Sequence, residues 1–140
     1  MLINHSVGPL RIVVVTDGQP LRHAIRNSLG GVTAFEVVGE TADGNSAIEM
    51  ALRLVPDVII MAVKLPRLSG AEATRRIKRV LPGVHLVGIS SREDSLTKGA
   101  MEAMMKAGCS AFIVKECVST LPEILEKLTG RPIAAGRLIV

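Results

Sequence analysis

The sequence predicts an α/β fold: a doubly wound, five-stranded parallel sheet with helices on both faces. Five short, β-branched apolar runs recur at regular intervals along the chain, and stretches of helical length and periodicity separate them. Three of the runs are nearly continuous in apolar residues, the pattern of strands covered on both faces rather than one. Strands alternating with helices give crossover connections and a parallel sheet.

The elements follow in the order βαβαβαβαβα. The runs RIVVVT (Arg11–Thr16), FEVVGE (Phe35–Glu40), DVIIMA (Asp57–Ala62), VHLVGI (Val84–Ile89) and AFIV (Ala111–Val114) are the expected strands. The first helix is expected over 20–29: Leu21, Ile25 and Leu29 share a stripe, and Pro20 suits a helix start. The second spans about 45–54, with Ala47, Ile48, Ala51 and Leu52 facing inward. The third follows Ser69-Gly70 and is ended by Pro82-Gly83 after Val80. The fourth, about 95–106, carries Met101, Met104 and Met105 and stops at Gly108. The fifth, 119–128, has Ser119 as its expected N-cap, Pro122 in its first turn and Gly130 beyond its end. Residues 1–10 read as an extension, 11–128 as the domain and 129–140 as a tail or linker stub.

Composition narrows the function classes. The chain has 140 residues, 48% hydrophobic and 21% charged, enough for one packed core. Two Phe and no Tyr or Trp argue against gripping single-stranded nucleic acid by stacking. A net charge of +4 comes from scattered Lys and Arg with one cluster, Arg75, Arg76, Lys78 and Arg79. That cluster reads either as a solvated helix face or as a partner-binding patch. Cys109 and Cys117 lack metal-ligand spacing and read as reduced thiols. No apolar run has membrane-span length and MLINHSVGPLR is no signal peptide, so a soluble cytoplasmic domain is expected.

In such sheets the functional crevice lies beyond the carboxyl ends of the strands. The residues there carry a resemblance. RIVVVTDGQPLRHAI resembles the opening in which a strand ends in two acids followed by a polar residue, Pro and Leu. PDVIIMAVKLPRLSGAEATRRI resembles the strand that delivers a phosphoacceptor Asp, then an apolar residue, Pro and a Gly at the next helix start. VHLVGISS resembles the strand ending in Ser or Thr, AGCSAFIVKE the strand ending in Lys, and GETADGNSAIEMA the second strand and helix. Together, from about Arg11 to Leu128, the chain resembles a response-regulator receiver (CheY-like) domain of the two-component phosphorelay type. Its style is that of receivers in LuxR/NarL-type regulators, which precede a helix-turn-helix output domain. The resemblance implies a flavodoxin-like sheet of order 2-1-3-4-5 and a binding module rather than an enzyme.

Carried over by position, Asp17 matches the first acid of the pair, and Gly18 stands where the second, a metal ligand, belongs. Ala62 stands where the phosphorylated Asp belongs. Ser90 matches the hydroxyl that contacts the phosphoryl group, Lys115 the pocket lysine, and Lys64 the variable position that tunes dephosphorylation. Phe112 takes the place of the aromatic that changes rotamer on activation, although a Phe on a buried strand also suits plain core packing.

A methyl group is no nucleophile, so no acyl phosphate is expected at Ala62. Magnesium requires one or two carboxylates at octahedral geometry, and with Gly18 and Ala62 in place only Asp17 remains, so no metal or other cofactor is expected. Asp57 lies roughly 16 Å away along the strand, and nothing aims Glu93 or Glu116 at the vacated position. Two expectations then stand for the surviving residues: a direct Asp17–Lys115 contact, bridged by Ser90, or inherited side chains around a water-filled dent. The expected role is a pseudo-receiver working through protein contacts or a homodimer on the helix 4–strand 5–helix 5 face, with a histidine kinase or output domain as partner and no direct binding of nucleic acid or membrane. The alternatives are an anion- or nucleotide-binding domain using Lys64, Arg67 and Lys115, against which TDGQP lacks a phosphate-loop pattern, and the receiver half of a helix-turn-helix regulator.

Overall fold

The computed structural model describes residues 8–91 and 99–131. Its elements are β1 (Leu10–Val15), α1 (Gln19–Leu29), β2 (Phe35–Thr41), α2 (Gly44–Leu54), β3 (Val58–Ala62), α3 (Gly70–Val80), β4 (His85–Ser90), α4 (Ala100–Ala107), β5 (Ala111–Val114) and α5 (Leu121–Thr129), with a 3-10 segment at Lys115–Thr120. The five strands form one parallel sheet in the order β2-β1-β3-β4-β5.

Successive strand residues point to opposite faces, which divides the core in two. Ile12, Val14, Val58, Ile60, Val87 and Ile89 meet Ile25 and Leu29 of α1 and Leu121 and Leu125 of α5. Val13, Val15, Ile59, Met61 and Leu86 meet Ala47 and Ala51 of α2, Ala73 and Ile77 of α3 and Met104 of α4. The nearly continuous apolar runs of β1 and β3 are thus explained by burial on both faces. No helix among the described residues is long and apolar enough to cross a membrane.

The structure departs from the sequence reading in four places. Leu10, assigned to the extension, begins β1 and is buried. Leu52 is exposed, because Gly44, Ala47 and Ala51 define the buried stripe of α2, with Ile48, Met50 and Leu54 partly buried at its flank. Ser119 caps nothing: the chain makes a 3-10 turn first, and α5 starts at Leu121 with Pro122 inside its first turn. Pro lacks an N–H and fixes the helical φ, so it suits that position without a side-chain cap. The three methionines named together on α4 divide between core and surface: Met104 is fully buried, whereas Met101 and Met105 are exposed. The expected start of α4 near Ser95 lies outside the described residues.

Candidate functional site

β1 delivers its last residues to the carboxyl edge of the sheet. Thr16 is buried, and its hydroxyl accepts a hydrogen bond from the Gly18 N–H at 3.2 Å. This turn swings Asp17 outward and places Gly18 at the N-cap of α1, where no side chain caps the helix. The Arg22 guanidinium donates to the Thr16 carbonyl at 2.7 Å, so α1 also braces the turn.

β3 ends at Ala62, 6% exposed, paired across the sheet with Ile89. The next strand end is held by the Val63 N–H donating to Ile89 O. Gly70 starts α3 directly above: its N–H donates to Val63 O, and a Cβ there would overlap the Ala62 carbonyl oxygen. Only glycine allows this approach. Ser90, also 6% exposed, donates its hydroxyl to the Ser91 carbonyl at 3.1 Å. Lys115 opens the 3-10 segment after β5 and is exposed.

These ends converge. Asp17, Gly18, Ala62, Lys64, Ser90 and Lys115 line one hollow of about 260 Å³. Six of the seven positions carried over in the sequence analysis are therefore neighbours, although they span nearly a hundred residues of chain, and the seventh, Phe112, does not line the hollow. Asp17 is the one carboxylate among the described residues lining the hollow. Glu93 lies outside the described residues, Glu116 does not line the hollow, and Asp57 sits at the opposite end of β3, where its carboxylate accepts the Arg11 N–H at 2.8 Å.

The expected direct Asp17–Lys115 contact is not made. No ion pair joins the two among the described residues, and the Ser90 hydroxyl is turned to Ser91 instead of bridging them. Both charges are exposed, so water solvates each one and no desolvation penalty forces them together. Arg67 is likewise diverted. Its guanidinium pairs with Asp43 at 3.0 Å, away from the hollow.

Phe112 is half-buried and packs with the second core face, against Gly88 and Met104. Core packing is what its surroundings support. In the basic cluster, Glu72 holds both Arg75 and Arg76, and the Lys78 ammonium donates to Pro82 O and Val84 O at the end of α3. The solvated-face reading fits these partners. Cys109 is a buried free thiol whose pKa is pushed up to about 11, chiefly by burial, and Cys117 is exposed and free.

Sequence reasoning missed Asp43. Its carboxylate caps α2 by accepting the Ser46 N–H at 2.8 Å, and the pattern Asp-x-x-Ser before a helix could have revealed it. It also missed Thr16 and Arg22, whose roles come from a turn that no local pattern announces.

This geometry has relatives. Residues 12–129 match the response regulator receiver domain family. The chain belongs to that family. The receiver is 32% identical over 107 residues to the transcriptional regulatory protein DegU of Brevibacillus brevis, covering 76% of this chain and 44% of the relative. Among solved structures, the response regulator domain of Thermotoga maritima CheB is 30% identical with a TM-score of 0.73, covering 88% of this chain and 96% of that one. The receiver domain of a NarL regulator from Mycobacterium tuberculosis superposes at 0.77 with 22% identity, covering 89% and 99% respectively, a likeness of fold. The receiver spans about half the length of the curated relatives it matches.

Proposed function

We propose that this receiver accepts no phosphoryl group and signals through protein–protein contact. The observation that carries the reading is Ala62. The methyl group stands at the carboxyl end of β3, inside the hollow formed with Asp17, Ser90 and Lys115. Phosphoryl transfer to a receiver needs a carboxylate nucleophile, a divalent cation and donors for the transferred oxygens at one point. Here the donors remain without the nucleophile. The donor set does not fit Mg²⁺ either, since Gly18 and Ala62 offer no side-chain oxygen beside Asp17.

Contact then falls to the face built by α4, β5 and α5, where Met101 and Met105 are 53% and 43% exposed. Methionine side chains adapt to varied apolar partners. A second copy of the chain, a histidine kinase or an output domain in the cytoplasm are the partners this reading expects, over a domain of residues 11–128. A second reading makes the chain the receiver half of a helix-turn-helix regulator, and it is favoured by the half-length coverage of DegU.

The test is incubation with acetyl phosphate and Mg²⁺ followed by intact-mass measurement. The expected result is no added phosphoryl mass. A single phosphoryl adduct would overturn the proposal.

A further inference from the structure

A groove of about 550 Å³ lies at the opposite end of the sheet from the hollow, between the start of β1 and the ends of α2 and α3. Leu10, Val55, Pro56, Val80 and Val84 give it apolar walls, and Asp57 is the one acid in its lining. Clefts of this size hold a small ligand or a few side chains. Val55 and Val80 are 56% and 51% exposed, and Leu52, about one turn before Val55, is 51% exposed. Three of the five large apolar side chains left exposed among the described residues thus belong to this α2–α3 seam. Exposed apolar surface gathered in one patch marks a contact surface, whereas single scattered residues do not.

Folding does not ask for Val55. It follows α2 with φ 45 and ψ 66, a left-handed conformation that glycine adopts freely and β-branched residues avoid. The Arg11 guanidinium holds this turn by donating to Leu54 O at 2.6 Å and Val55 O at 3.0 Å. The strained backbone therefore carries a side chain that belongs to neither core cluster, and what it offers is exposed methyl groups.

The charge around the groove is mainly positive. Arg53 in the last turn of α2 and Arg79 in the last turn of α3 are exposed, and neither is held by an ion pair or hydrogen bond among the described residues. Arg75 and Arg76, by contrast, are taken by Glu72. Arg131 adds a further base to the lining, and the Asp57 carboxylate already accepts the Arg11 N–H.

The sheet limits how a partner can sit here. The groove opens at the starts of β1 and β4, interior strands paired on both edges, so no extended segment can add a strand. A lining without aromatic residues offers no seat for a polyproline segment. A helix laid into the groove by its apolar face meets neither obstacle. Nucleic acid phosphates would leave the valines uncovered, and a bilayer surface does not enter a concave groove.

We infer that the groove at the amino ends of the strands receives an acidic amphipathic helix of a partner protein. Its aliphatic face covers Leu52, Val55 and Val80, and its carboxylates meet Arg53 and Arg79. The contact is separate from the hollow and does not depend on what the hollow can accept.

The test uses the full chain and a fluorescein-labelled helical peptide with Leu at i, i+3, i+4 and i+7 and Glu at most other positions. Fluorescence anisotropy is expected to saturate, and the peptide is expected to move the amide resonances of Leu52, Val55, Val80 and Leu81 while leaving those of Ala62, Ser90 and Met101 in place. Val80→Asp should weaken binding about tenfold, and Arg53→Glu with Arg79→Glu should do the same and flatten its salt dependence. Both changes fall on exposed side chains, so the core stays intact. Val55→Gly should weaken binding while leaving the Tm unchanged or higher, a split that a purely structural valine would not give. Anisotropy that does not saturate would overturn the inference. So would equal binding of a peptide with Ser in place of Leu, amide shifts centred on Met101 and Met105, or tighter binding to phosphatidylserine vesicles or duplex DNA than to the peptide.

Discussion

Phe112 lies across Gly88, its partner on the neighbouring strand. A methyl group at position 88 would stand 2.7 Å from the ring Cδ1 and 3.1 Å from Met104 Cε. The ring occupies a notch made by a missing side chain. Gly88→Ala therefore overpacks the face between β4, β5 and α4, at a cost of about 1–3 kcal/mol. Urea unfolding should show that loss in the parent and a smaller one in a Phe112→Leu background, where the flexible aliphatic chain can give way. Equal losses in both backgrounds would mean that the ring does not fill the notch.

If, as proposed, the hollow accepts no phosphoryl group because positions 18 and 62 carry no carboxylate, supplying both should introduce that chemistry. Gly18→Asp with Ala62→Asp supplies a nucleophile and a second metal ligand beside Asp17, within reach of Ser90 and Lys115. Intact mass after acetyl phosphate and Mg²⁺ should show one phosphoryl group on the double variant and none on Gly18→Asp alone. A double variant that stays unmodified would place the obstacle in the shape of the hollow.

Asp17 is solvated and forms no ion pair among the described residues. Asp17→Ala should therefore change stability by less than about 0.5 kcal/mol, the usual range for a surface substitution. A loss of 1 kcal/mol or more in a denaturant titration would instead point to a contact between Asp17 and Lys115 in solution.

The N-terminus of α2 should make stability depend on pH. The hydrogen bond from the Ser46 N–H, with the Arg67 guanidinium adding to it, holds the Asp43 carboxyl below its ordinary 3.8. A carboxyl with a depressed folded pKa binds its proton more weakly in the folded state. Its contribution is fully present above 3.8 and disappears as pH falls through the lower, folded value. Asp43→Asn keeps a side-chain oxygen for the cap and removes the titration. Its acid-unfolding limb should be shallower than the parent's below about pH 4, as followed by circular dichroism. Superimposable limbs would show that other carboxylates govern acid stability.

Much of this molecule was legible in the sequence because it is written in local pattern. The runs at β1 and β3 show burial on both faces through unbroken apolar residues, and the stripe Leu21, Ile25, Leu29 declares the packed side of α1. The chain order of these signals was enough to bring Asp17, Ala62, Ser90 and Lys115 to one edge, since parallel strands all deliver their carboxyl ends to the same side. That Gly18 and Ala62 would stand at that edge with them was likewise plain in the letters.

Tertiary structure decided which polar groups meet. Arg67 turned to Asp43, Ser90 turned to its own neighbour's carbonyl, and Lys115 remained in water. Leu52 stayed outside because the neighbouring elements cover a narrower stripe of α2 than its hydrophobic residues suggest. Each of these outcomes depends on distances of a few ångströms between elements remote in sequence and on how much water reaches them. Periodicity carries the direction of a side chain along its own helix or strand, but it holds no record of what stands opposite.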